Sequence, residues 1–312
     1  MWDNKRYHSL NYELKKRYGT KLYKLSLNAG MSCPNRDGTL GIRGCIFCSE
    51  GGSGDFAASA DLSITEQIEA AKQLIAPKIK NNETMKYIAY FQAYTNTYAP
   101  VSYLTSIFTE AISHQDIQIL SIATRPDCLD EEILELLSSL NKVKPVWIEL
   151  GLQTIHEESA SYIRRGYSLP IFEEMVNRLN SIGIKVIVHT ILGLPKETKH
   201  DMVKTMDYIS SLPVWGIKLQ LLHILKNTDL GTQFENGELP ETLTLEEYID
   251  IVLLCLENLR DDIVIHRITG DGPKKLLLAP LWSANKKLVL NCLNNEMRVR
   301  DSYQGKNYKS RN

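Results

Sequence analysis

"CPNRDGTLGIRGCIFC", residues 33–48, carries three of the six cysteines of this 312-residue chain, and its reading decides how the rest is read. Three thiols make an odd ligand set. A structural zinc takes four ligands, and disulfides take cysteines in pairs. In a [4Fe–4S] cube each iron needs one ligand from outside the cube. Cys33, Cys45 and Cys48 would thus hold three irons and leave the fourth open to a small molecule. The glycines of this loop let the backbone wrap closely around such a group. Zinc bound by three cysteines and a histidine stays open as the alternative, although no histidine lies between residues 9 and 113. Cys255 and Cys292 read as small hydrophobes on apolar helix faces, while Cys128, which follows a strand at the candidate site, is left open between a structural role, the favoured one, and a functional one.

The stretch follows "KLYKLSLNA" (21–29), which reads as a first strand. Five more follow: "KYIAYFQAY" (86–94), "IQILSIAT" (117–124), "PVWIELGLQ" (145–153), "KVIVHTILG" (185–193) and "GIKLQLLHI" (216–224). Most are nearly continuous apolar runs, as expected of parallel strands covered on both faces. Amphipathic helical runs separate them. One spans 64–79 with Thr65 as its expected N-cap, and Gly183 sits at a helix C-cap position. Six β-then-α units predict an α/β fold, a partial TIM-type (β/α)6 barrel. After about residue 240 come a long helix, a short strand "IVIHRIT" and another helix. The expected organisation is a basic N-terminal segment (1–20), a core barrel (21–240) and a helical C-terminal extension (241–312) packed on the barrel and ending in a basic tail.

Hydrophobic residues make up 43% of the chain and the formal net charge is −1, so no global field steers it toward anions. No signal-peptide pattern or membrane-spanning run is read, and a cytoplasmic location with reduced cysteines is expected. Charge is nonetheless uneven. "KRYHSLNYELKKRYGTKLYK" (5–24) interleaves basic groups with Tyr7, Tyr12, Tyr18 and Tyr23, and the tail carries Arg298, Arg300, Lys306, Lys309 and Arg311. Such ends fit either a solvated basic helix face or contacts to phosphates and unpaired bases.

A three-cysteine loop after the first strand of a partial barrel resembles the radical S-adenosylmethionine (SAM) enzymes. "ATRPDCL" (123–129), "FQAYTNT" (91–97), "ELGLQT" (149–154), "HTILGLPKET" (189–198), "IHRITGDGP" and "APLW" are similar to the Elp3-like branch, in particular to its YtqA/YhcC group, whose Gram-positive members are called MnmL. The eleven-residue gap between Cys33 and Cys45 departs from the superfamily's usual C-x3-C-x2-C but matches the lengthened gap of that branch.

The resemblance implies a [4Fe–4S] cluster on Cys33, Cys45 and Cys48, with SAM chelating the open iron. One-electron reduction of the sulfonium then yields a radical that takes a hydrogen atom from substrate. It further implies a SAM site. Gln92, Tyr94 and Thr95 would face the methionine amine, and Thr124, Arg125 and Asp127 belong to the "TRPD" segment. There the Arg125 fork would hold the carboxylate, against the alternative of a salt bridge to Asp127 or Asp130. Gln153 would bind the ribose, and Gly193, Leu194 and Pro195 would lie against the adenine. The implied substrate is a tRNA wobble uridine bearing a 5-carboxymethylaminomethyl group, trimmed to 5-aminomethyl; the alternatives are the same radical chemistry on a protein or small molecule, or a zinc-containing RNA-binding protein. Lys218, His223 and Arg267 are the candidates to hold its carboxylate. A reductase or a flavodoxin- or ferredoxin-type electron donor and a downstream tRNA methyltransferase are the implied partners.

Overall fold

The computed structural model describes residues 1–52, 57–78, 85–239, 241–270 and 272–309. The expected helix end at Ile79, Asp271 of "IHRITGDGP" and Arg311 lie outside the described residues. In chain order the elements are α1 (Leu10–Tyr18), β1 (Leu22–Leu27), α2 (Ile64–Ile75), β2 (Lys86–Phe91), α3 (Val101–Ser113), β3 (Ile117–Thr124), α4 (Glu131–Asn141) and β4 (Val146–Gln153). There follow α5 (Glu157–Tyr162), α6 (Leu169–Ser181), β5 (Lys185–Leu192), α7 (Lys199–Ser211), β6 (Gly216–Leu221), β7 (Ile224–Leu225), α8 (Asp229–Glu235), α9 (Leu245–Asn258), β8 (Val264–Arg267), β9 (Leu277–Ala279) and α10 (Lys286–Val299).

All six expected strands form, and they pair in parallel in sequence order. A seventh joins them: "IVIHRIT" does not stay outside the barrel but pairs in parallel with β6 as β8, setting Lys218 beside Arg267. Short β7 and β9 form a separate antiparallel pair. The sheet is curled. In a flat sheet β1 and β4 would be about 14 Å apart, three strand spacings. Yet Lys24 Nζ on β1 lies 2.8 Å from Glu149 Oε1 on β4. The outward faces of the strands pack on the helices in one continuous core that includes Phe91, Phe108, Phe172 and Tyr248.

Local chemistry sets several helix starts. The N-cap of α2 is Ser63 rather than Thr65: its hydroxyl takes the Glu66 amide while Glu66 closes a capping box, and Thr65 instead bonds Glu110. Thr198 and Thr244 start α7 and α9 the same way. Gly183, at φ 76°, lies just past the end of α6 as expected. Strands β2 and β6 stop three residues earlier than expected. After β2 the chain turns at Ala93 and Tyr94, both at positive φ.

Helix α1 closes one end of the barrel. Its Leu14 packs with Leu22, Ile88, Ile119, Trp147 and Ile187, which lie near the N-terminal ends of their strands. The chain's two ends meet there. Ile265 N donates to His8 O at 2.7 Å, Gln304 N to Arg6 O at 2.9 Å, and Arg6 pairs with Asp301 at 2.6 Å. Through α1, the basic, tyrosine-rich segment is therefore on the far side of the barrel from the cysteine loop. Its aromatics are turned in, Tyr7 buried and Tyr12, Tyr18 and Tyr23 half-buried. Among the described residues no helix is long and apolar enough to cross a membrane.

Candidate active site

A cavity of about 1320 Å³ opens at the C-terminal ends of the strands. Cys33, Cys45 and Cys48 line it, together with Gln92, Tyr94, Thr95, Thr124, Arg125, Gln153, Lys218, His223 and Arg267. Asp127, Gly193, Leu194 and Pro195 do not. Leu194 is instead buried against Ile46 and Ile163, so that turn supports the cysteine loop from behind.

The long first gap of the cysteine loop is held by contacts from elsewhere in the chain. Arg36 reaches across it, donating from Nη2 to the carbonyls of Cys48 and Ser49 at 2.8 Å each. Gly44, at φ 73°, leaves room for this arm: a Cβ there would lie 2.8 Å from Arg36 Nε. Asn35 Nδ2 donates to Arg164 O at 2.8 Å, and Leu230 N to Ile46 O at 2.9 Å. Asp229 at the start of α8 pairs with both Arg43 and Arg164. Neither α5 nor α8 was foreseen from the sequence, and these short elements anchor the loop.

Beside the loop, Arg125 departs from its expected role. Its Nε and Nη2 donate to the two oxygens of Asp127 at 2.9 and 2.7 Å, and Nη1 donates to Arg165 O at 3.0 Å. The fork is thus committed to Asp127, the alternative already named. Its guanidinium lies over the Tyr167 ring at 4.8 Å, with Arg165 over the same ring at 5.2 Å. Tyr167 OH donates to Gly151 O at 2.5 Å, and a Cβ on Gly151 would come within 3.0 Å of Tyr167 Oη and of Gln153 Nε2. Tyr94 is likewise engaged, its hydroxyl on Glu50 O and its amide on Gly52 O. Thr124 shares its hydroxyl with Thr97, Thr95 N donates to Ser32 O, and Gln92 N donates to Leu27 O. Cys128 lies outside the cavity lining, and its carbonyl takes the Thr97 hydroxyl at 2.5 Å. Cys255 is fully buried in α9, and Cys292 packs half-buried against the core, both as expected.

Deeper in the barrel Lys218, a candidate from the sequence, joins a network whose other members sequence reasoning missed. Glu149 has no exposed side-chain surface and accepts from Lys24 and Ser121 at 2.8 Å, from His189 Nε2 at 2.7 Å, and from Lys218. Lys218 also donates to Tyr90 OH at 3.0 Å. Burial alone would raise the Glu149 carboxyl, but Lys218, Lys24 and His189 overcome it and hold it well below its ordinary range. Burial holds His189 down at about 4, so it is neutral and donates through Nε2. Burial, aided by Lys24 and Arg267, pulls Lys218 below its ordinary value against the opposing pull of Glu149. Arg267 carries no ion pair among the described residues. Three basic side chains, Lys24, Lys218 and Arg267, therefore face one carboxylate on the cavity floor.

The donor set fits a multi-iron cluster. Among the described residues the one His/Cys/Asp/Glu trio with ligand atoms all within 4.8 Å of one another is Glu69/His114/Asp116, where Lys72 pairs with both carboxylates. The three cysteine sulfurs are spread wider than that, whereas thiolates on a single zinc would be about 3.8 Å apart. Burial and the neighbouring Cys48 and Cys33 push the Cys45 thiol up to about 12, so this sulfur ionises only on a metal. Near the loop, Gln153 sits at φ 64° with a buried Oε1 that has no hydrogen-bond partner, an acceptor suited to a ribose hydroxyl.

Comparison with known proteins places the chain. The family model for the Radical SAM superfamily matches residues 38–209, and that for the Radical_SAM C-terminal domain matches 214–299. The chain is 45% identical to YtqA of Bacillus subtilis over 302 residues, 97% of this chain and 92% of that protein. It is 26% identical over 170 residues to a tRNA uridine(34) acetyltransferase of Methanocaldococcus jannaschii, covering 53% of this chain and 30% of that one. The solved Elp3 of Methanocaldococcus infernus superposes with a TM-score of 0.68 at 16% identity, over 91% of this chain and 64% of that one. The cavity, its three cysteines and these matches lead to one conclusion: the chain belongs to the radical SAM superfamily, enzymes that work with a [4Fe–4S] cluster and SAM.

Proposed function

We propose that this protein modifies the wobble uridine of tRNA, converting 5-carboxymethylaminomethyl-(2-thio)uridine to 5-aminomethyl-(2-thio)uridine. The observation that carries this reading is the charge set on the cavity floor, three basic side chains against Glu149. An excess of partly buried cations around one buried carboxylate is costly unless an anion joins it, and a substrate carboxylate completes it. Arg267 is the group to hold that carboxylate, since its planar fork donates to two oxygens at once. Lys218, already engaged by Glu149 and Tyr90, takes a supporting part. Similarity to a protein named for tRNA uridine(34) supports the nucleic-acid half of the reading.

When bound, the cluster and SAM supply a radical that abstracts hydrogen, best at the carbon between substrate nitrogen and carboxylate, where both neighbours stabilise the product radical. This chain's residues do the rest. Cys33, Cys45 and Cys48 hold the cluster, Arg36 fixes their loop, and Gln92 and Gln153 offer polar groups to SAM. Arg125 adds a cation beside the cluster loop, although Asp127 occupies its fork. Thr95, Thr124 and the backbone at Tyr94 shape the wall. A flavodoxin- or ferredoxin-type donor or a reductase supplies the electron, and a tRNA methyltransferase consumes the aminomethyl product.

Nucleoside mass spectrometry of tRNA from a deletion strain tests the reading. Accumulation of the carboxymethylaminomethyl nucleoside is expected, and an unchanged profile sinks the proposal. In reconstituted reactions Arg267→Ala should lose turnover on tRNA while keeping its cluster absorbance.

A further inference from the structure

We infer that a second recess, beside the active cavity, binds the unpaired nucleotide next to the one being modified. The inference rests on the RNA substrate proposed above and names a part of the surface that would recognise it. The recess has a volume of about 740 Å³ and shares Lys274 and Ala284 with the main cavity, so the two are continuous along one lip. Its floor is apolar and aromatic. Leu281 is 70% exposed and Leu288 41%, an unusual display of leucine beside a cavity mouth. The Trp282 ring is fixed by its Nε1 donating to Leu243 O at 2.9 Å and by the Tyr248 ring at 5.5 Å. Its rim is cationic: exposed Lys274 lines it and exposed Lys275 adjoins it.

An apolar, aromatic floor with ammonium groups at its edge matches a nucleobase with its phosphates. The base lays a π-face on the floor and the phosphates meet the lysines. Geometry gives this recess a purpose. A nucleotide drawn out of its stack into the cavity leaves its neighbour with an uncovered face. A surface on the cavity lip that restacks the neighbour recovers part of that cost. The basic N-terminal segment does not serve here, because α1 lies at the opposite end of the barrel.

The test is binding of an anticodon stem-loop RNA to the full, cluster-loaded chain by fluorescence anisotropy. Three RNAs are compared: intact, and with either nucleotide flanking the wobble position made abasic. Wild type should lose about tenfold in affinity with one of the abasic RNAs, the scale of one stacked base. Leu281→Glu, at an exposed position outside the main cavity lining, should lose about tenfold with intact RNA and nothing further with that abasic RNA. Its SAM cleavage without substrate should match wild type, which shows an intact fold and cluster. Equal affinity of wild type for all three RNAs, or wild-type affinity in Leu281→Glu, overturns the recess while leaving the substrate reading in place. Failure of wild type to bind any of the RNAs overturns both.

Discussion

Replacing Glu149 by Gln removes the one negative charge of the buried network while nearly keeping its volume. Lys218, whose side chain is 3% exposed, then keeps no counter-charge, and Lys24, 24% exposed, turns toward water. Removing one partner of a buried ion pair costs about 3–5 kcal/mol. Because Lys24 can be rehydrated, the lower end, about 3 kcal/mol, is expected at pH 7. In thermal unfolding this is a fall of about 6–12 °C in Tm. The pH dependence carries the finer test. With Glu149 gone, nothing opposes the burial and neighbouring cations that lower the Lys218 pKa, so the folded variant sheds that proton while the unfolded chain keeps it up to about pH 10.4. The unfolded state then binds more protons, and stability rises with pH. The deficit against wild type should therefore shrink between pH 7 and 9.5, by at most about 1.4 kcal/mol per pH unit. Adding Lys218→Met should recover at least half of the loss, since an apolar replacement of a whole pair is often neutral. A deficit below about 1 kcal/mol, the scale of an exposed pair, or one that grows with pH, would refute the account of a buried, mutually dependent network.

Other expectations follow from the same geometry. Cys33→Ala, Cys45→Ala and Cys48→Ala should each abolish absorbance near 400 nm and drop iron from about four per chain to background. Arg36→Ala removes two charge-assisted hydrogen bonds, about 1.5–3 kcal/mol each, from the cysteine loop. Its reconstituted iron content and the electron paramagnetic resonance signal of the reduced cluster should both fall, with Arg36→Lys recovering part of each, because both carbonyls are taken by one nitrogen, Nη2, whose place an ammonium can fill. His189 has a folded pKa of about 4, so its stabilisation is full above pH 6.5 and is lost as pH falls from there through 4. Wild type should lose about 2 kcal/mol in urea unfolding between pH 7 and pH 5 from this group, a slope that His189→Gln should remove.

Much of the fold was legible because parallel strands in a covered sheet are written as apolar runs, and each run here was continuous enough to find. "IVIHRIT" was found too, but its pairing with β6 is a long-range choice that local pattern does not encode. Thr65 was mistaken for the cap of α2 because Ser63 and Thr65 both suit the position; the Glu66 partner of Ser63 decides it. In the site, the three cysteines stood out by type and spacing. The Glu149 network did not, although each strand shows its part: a lone charge in "PVWIELGLQ", a histidine in "KVIVHTILG", lysines in "KLYKLSLNA" and "GIKLQLLHI". Each looks like a stray polar residue until curvature brings four strands to one point. Arg36 and Asp229 were hidden for a related reason, since what they brace is a loop with no period of its own.

The seam between the chain's ends sets a schedule. His8 and Arg6 are made before their partners Ile265, Asp301 and Gln304. Arg267 takes its place only when β8 docks on β6 and meets the waiting N-terminal segment. During synthesis the cysteine loop and the first six strands therefore exist before the cation set is complete. The growing protein therefore has all three of its candidate metal ligands before it has Arg267, the proposed anchor for substrate.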